Sequence, residues 1–89
     1  MDDERIRALH DHLAATAERP VERTASRWLG EAEAIAGDIA HGRMEPGVQR
    51  ERLEKVDQLL QNVEGTGDEA ADEHVAEARA IVDVLLGDG

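Results

Sequence analysis

The chain has 89 residues, a length that encloses one hydrophobic core and no second one. Its formal charge of −11, from 21 acids against 10 Lys and Arg, argues against contact with nucleic acid or an anionic membrane, since both need basic side chains to neutralise phosphate. There is no cysteine, which excludes disulfides, thiolate metal sites and a cysteine nucleophile, and no apolar run nears the about 20 residues of a membrane span.

The N-terminal MDDERIR is acidic where a secretory leader is basic, so a cytoplasmic location is expected. Apolar residues at helical spacing predict a first helix over about 3–18, with Ile6, Leu9, Leu13 and Ala17 on one side. Asp2, Asp3 and Glu4 suit the positive end of its dipole.

A second helix over 21–41 follows Pro20, carries Val21, Ala25, Trp28, Ala32, Ile35 and Ile39 on its apolar arc, and stops at Gly42. Trp28 is the only aromatic residue besides histidine. The arc places it near the centre, between the small Ala25 and Ala32, as a core anchor; an exposed Trp that anchors a partner is the rival reading. Ser26, Gly30 and Gly37 gather on the back of the same helix with Ala34 beside them. Glycine in an exposed helix interior costs about 1 kcal/mol relative to alanine, and without Cβ atoms a second helix can approach closely. This face is therefore expected to be the seam of a two-fold homodimer, the plainer alternative being glycines that the surface tolerates.

The third helix, over 46–64, begins at Pro46 and presents Leu53, Val56, Leu59, Leu60 and Val63, with Glu51 four residues before Lys55 and Gly65 as an expected left-handed cap. The fourth, over 67–86, opens on a Thr66/Glu69 capping box and continues through Ala71, Val75, Ala78, Ile81, Val82 and Leu85. No strand periodicity occurs. Short connections make consecutive helices antiparallel, so residues 1–89 are expected to form one all-α domain, an up-down-up-down four-helix bundle that homodimerisation completes or extends.

The segments ERPVERTASRWLGEAEAIAGDIA and TGDEAADEHVAEARAIVDVLLG resemble a family of small, acidic, uncharacterised proteins of halophilic archaea. The resemblance spans nearly the whole chain and implies a cytosolic, high-salt setting; it implies no catalytic residues. The charge balance agrees, because at about 1 M salt the Debye length falls to about 3 Å and repulsion between acids is screened. Acids are unevenly spread: residues 64–89 hold eight of them against Arg79 alone, so a basic partner would meet the last helix.

Among polar residues, His10 and His74 lie in or beside the apolar arcs of the first and fourth helices, near mid-height, and are expected to face one another. Satisfied boundary histidines are the plain reading, and a metal-binding or pH-sensing pair the sharper one, with Asp57 the other inward-looking acid. His12 is set apart from His10 because residues two apart on a helix diverge by about 200°. Asp38 and His41 share a face as a weak metal pair. Glu51, Glu54 and Asp57, and again Glu69 and Asp72, have the spacing with which helical nucleotide pyrophosphohydrolases hold Mg²⁺, although such spacings arise readily in an acidic chain. The Gly65-Thr66-Gly67 turn is no phosphate cradle, since Asp68 and Glu69 follow it, and Ser26, the single serine, has no histidine at helical reach. These residues point to a non-enzymatic interaction or oligomerisation module needing no cofactor, with a metal-binding or Mg²⁺-dependent nucleotide-hydrolysing bundle as the alternative. The expected partner is a second copy or another protein, with no nucleic acid and no membrane.

Overall fold

The computed structural model describes residues 2–87. These form four helices, α1 (Asp3–Thr16), α2 (Arg23–His41), α3 (Pro46–Gln61) and α4 (Glu69–Gly87), and no strand occurs among the described residues. Among the described residues no helix is long and apolar enough to cross a membrane. The expected frayed tail beyond Gly87 lies outside the described residues.

Each helix packs on two neighbours: α1 on α2 and α4, and α3 on α2 and α4, with α3 and α4 the loosest pair. The backbones of diagonal pairs stay apart, so the chain is a four-helix bundle with a square cross-section, 35 × 22 × 19 Å in extent. Its core alternates around that square. α1 and α3 supply leucines, of which Leu9, Leu13, Leu53 and Leu60 have 0% exposure, while α2 supplies Ala25, Ala32 and Ala36 and α4 supplies Ala71 and Ala78. Large side chains on one diagonal thus fill the space that alanines leave on the other, which is how facing layers interlock without voids.

Against the periodic pattern, α1 and α3 end earlier and α2 and α4 start later, because local chemistry sets these limits. Asp2 caps α1, its carboxylate accepting the amides of Glu4 and Arg5 at 3.1 and 3.2 Å. The Thr16 hydroxyl donates to the Leu13 carbonyl at 2.6 Å and closes the other end. Glu22 has extended ψ of 143° and accepts the Thr24 amide, so α2 starts after it and not at Val21. α3 begins at Pro46 as expected and ends at Gln61, followed by Asn62 in a right-handed conformation. The left-handed residue of the α3–α4 connection is Gly67, at φ 82°, and not Gly65.

That connection also departs from the expected capping box. Asp68 caps α4 through the Ala71 amide at 3.0 Å. Thr66 pairs instead with Asp72, one turn further on: its amide and hydroxyl both donate to Asp72 Oδ1, at 2.9 and 2.7 Å. Its carbonyl accepts the Glu22 amide at 2.7 Å, which ties this loop to the α1–α2 loop. Beside it, the Arg19 guanidinium grips Asp68 with two bonds of 2.9 and 3.1 Å.

Candidate functional site

The apolar stripe of α1 runs through Ile6, Leu9, Leu13 and Thr16, all buried. His10 and His12 project from opposite flanks of that stripe, as their separation of about 200° requires. The bundle turns the His10 flank toward α2 and the His12 flank toward α4. His10 and His74 therefore do not meet. His10 lies edge-on to His41, ring centroids 6.1 Å apart, and rests on Gly37, where a Cβ would come within 3.4 Å of ring atoms Cδ2 and Nε2. His74 pairs with His12, their Nδ1 atoms 2.9 Å apart and ring centroids 5.2 Å apart. Both rings are half-buried, and they border an open concavity lined also by Glu73, Ala76 and Glu77.

The signal for His12 was present in its position one residue before Leu13. What the helical wheel lacks is the hand of the bundle, which decides whether a given flank of α1 faces α2 or α4. A 2.9 Å separation between two imidazole nitrogens is a hydrogen bond only when one ring is protonated at Nδ1 and the other presents a lone pair there.

Asp57 is not drawn into this pair. It sits on α3, diagonally across the bundle from α1, and its carboxylate accepts from Gln61 Nε2 at 2.8 Å, one turn along the same helix. The other acids at metal-like spacing stay dispersed. Glu51 and Glu54 point to solvent, Glu54 lying 3.6 Å from Arg50, and Asp72 is engaged by Thr66 while Glu69 is exposed. Among the described residues no group of three or more His, Asp or Glu side chains is placed to share a metal ion.

On α2, the buried stripe is Ala25, Leu29, Ala32, Ala36 and Ile39. It shares Ala25, Ala32 and Ile39 with the expected arc, but Leu29, at 2% exposure, takes the central place given to Trp28. Trp28 is half-buried and packs against the core from its edge, lining a crevice with Ala25, Asn62, Val63 and Gly65 at the end of α3. Ser26, Gly30 and Ala34 are exposed along the opposite face, and a Cβ at Gly30 would meet nothing within 4 Å. Gly37 departs from that face, since the His10 ring of α1 occupies the space beside it.

The charged groups with displaced acidity are at the helix starts. Asp68 is held below the usual carboxylate range, chiefly by its hydrogen bond with Arg19 and next by the Ala71 amide; Arg19 is raised in turn by Asp68. Backbone amides lower Asp2 and Glu22, through Arg5 and Thr24 respectively. The shifts of Asp2 and Glu22 record helix capping, and those of Asp68 and Arg19 chiefly the ion pair between two loops.

Fold and surface together define a small all-α bundle whose polar contacts serve caps and loop ties, with one histidine pair across α1 and α4. The chain belongs to the family described as a domain of unknown function, DUF8152, which matches residues 5–89. Neither the curated proteins nor the solved structures give a match.

Proposed function

We propose that this protein is a non-enzymatic interaction module that pairs with a second copy of itself through the outward face of α2, in a cytosol of high salt. The observation that carries the reading is the open face at Gly30: nothing in the chain's own packing calls for a glycine there. Ser26 and Ala34 lie one turn to either side, so a flat stripe free of large side chains runs along the exposed helix.

Charge supports a second copy as the occupant. The first half of α2 carries Arg23 and Arg27, and the second half carries Glu31, Glu33 and Asp38. Two α2 helices crossing antiparallel at Gly30 set Ser26 against Ala34 and bring each basic half over the acidic half of its partner. Their dipoles are then opposed as well. Two-fold symmetry makes every such contact twice. For a chain at −11, salt screening removes the net repulsion between copies at long range, while contacts inside a Debye length survive.

The test is sedimentation velocity in concentrated KCl over a wide range of protein concentration, comparing the natural chain with Gly30→Leu. A dimer that becomes monomeric in the variant is expected. Leucine has open space at this position and improves helix propensity by up to about 1 kcal/mol, so the fold should be kept. A natural chain that stays monomeric at every concentration, or a variant dimer as tight as the natural one, refutes the proposal.

A further inference from the structure

The geometry points to a divalent transition-metal site at His12 and His74, with Cu(II) the tightest-bound ion. Two Nδ1 atoms facing each other 2.9 Å apart are contributed by α1 and α4, which pack together extensively. With metal–nitrogen bonds of about 2.0–2.1 Å, two imidazoles on one ion lie about 2.9 Å apart at a right angle and about 3.3 Å apart at a tetrahedral one. The nitrogen spacing matches the bite of a square-planar ion, while the ring centroids, 5.2 Å apart, lie in line with both nitrogens, so each half-buried ring must swing by about 45° to aim its lone pair at a shared ion.

Binding requires both Nδ1 lone pairs. In the metal-free pair one Nδ1 carries the proton of the hydrogen bond; on binding that N–H bond breaks, and solvent delivers a proton to Nε2 of the same ring. The Nδ1 proton leaves to solvent, and two metal–nitrogen bonds form as two of the ion's water ligands depart and the inter-ring hydrogen bond is lost. No electron is transferred, and the total of bound protons is unchanged. Imidazole nitrogen selects copper, nickel and zinc over magnesium and calcium, and the order of divalent affinities puts copper first. Glu73 and Glu77 border the same concavity one helical turn apart, giving the ion a negative surround. Since no third donor side chain is gathered at the pair, water completes the coordination shell. The ion would clamp α1 to α4, on elements that leave the α2 face clear, so this site stands or falls independently of self-association.

Titration of the untagged protein with CuCl₂ by calorimetry, together with electron paramagnetic resonance of the bound ion, tests the assignment. One Cu(II) per chain is expected, with a spectrum showing two imidazole nitrogens. Changing even an outer partner of a metal ligand alters affinity by about 10–100-fold, so His12→Gln and His74→Gln should each weaken binding by at least about tenfold. His10→Gln, which alters the other histidine pair, should leave the affinity within about twofold. The spectrum of the natural chain needs no variant and is unaffected by any folding defect. A bound ion without two imidazole nitrogens, affinity retained in both Gln variants, or no binding tighter than millimolar overturns the site.

Discussion

Thr66 has 0% exposure, and its amide, hydroxyl and carbonyl all have partners: Asp72 takes the first two and the Glu22 amide the third. The hydroxyl oxygen also accepts the Asp68 amide at 3.1 Å. A valine of nearly the same shape keeps the backbone bonds but leaves the Asp68 amide without its acceptor. An unmet buried donor costs roughly 1–3 kcal/mol, so Thr66→Val should lose about that much stability in urea unfolding, and Thr66→Ser should recover most of it. If the valine variant unfolds at the same urea concentration as the natural chain, Thr66 is not the tie between these loops. Nothing in the local sequence singles out this pairing. A Thr three residues before Glu69 reads as a capping box, and only the left-handed turn at Gly67 moves the cap to Asp68 and frees Thr66 for Asp72.

Helix ends are where the elements of this bundle depend on one another. α3 and α4 have no basic residue in their last turns, yet both C-terminal ends are met by arginine from the adjacent helix. Arg79 of α4 donates to the Leu60 and Val63 carbonyls, the latter at 2.6 Å, and Arg50 of α3 donates to the Leu86 carbonyl at 3.0 Å. These reciprocal caps join the pair of helices with the thinnest packing. At the start of α4, Asp68 does two tasks, capping its own helix and holding Arg19 from the α1–α2 loop. Its pKa, held below the usual carboxylate range, gives the contact a pH signature. The folded state favours the ionised carboxylate more than the unfolded chain does, so the contribution is complete at neutral pH and fades as acid protonates Asp68. Asp68→Asn should therefore melt below the natural chain at pH 7, and the two should converge as pH drops below about 4, where an unfolded carboxylate begins to protonate. A gap that stays constant into strong acid would show that the ionised Asp68 contributes nothing specific.

Taken as a whole, the molecule carries far more acid than its ion pairs use. Among the described residues those pairs are Asp2–Arg5, Arg19–Asp68 and Arg50–Glu54, set against 21 acids in the chain. Folding concentrates this charge into a body with a radius of gyration of 12.0 Å, over a core to which α2 and α4 contribute alanine beside a few larger aliphatics. Self-repulsion is then a substantial opponent of a modest core. Raising salt from about 0.1 to 1 M shortens the Debye length from about 10 to 3 Å, so the melting midpoint should climb by several degrees across that range in KCl. A flat midpoint over the same range would mean that the acidic surface carries no high-salt adaptation.

The sequence by itself determined the number and order of the helices, the start of α3 at Pro46, and most of the buried stripe, because 3.6-residue periodicity and short connections are local properties of the chain. It placed Leu9, Leu13, Leu53, Val56 and Val82 inward for the same reason. Tertiary structure decided how each cylinder is rotated and which neighbour meets each flank. Two overlapping stripes on α2 share three residues, and packing against α1 and α3 is what turned Leu29 inward and left Trp28 at the rim. His10 and His12 occupy equivalent flanks of α1 until the bundle acquires a hand; then one faces Gly37 and His41, and the other faces His74. Handedness is a relation between helices, so no single helix's spacing encodes it.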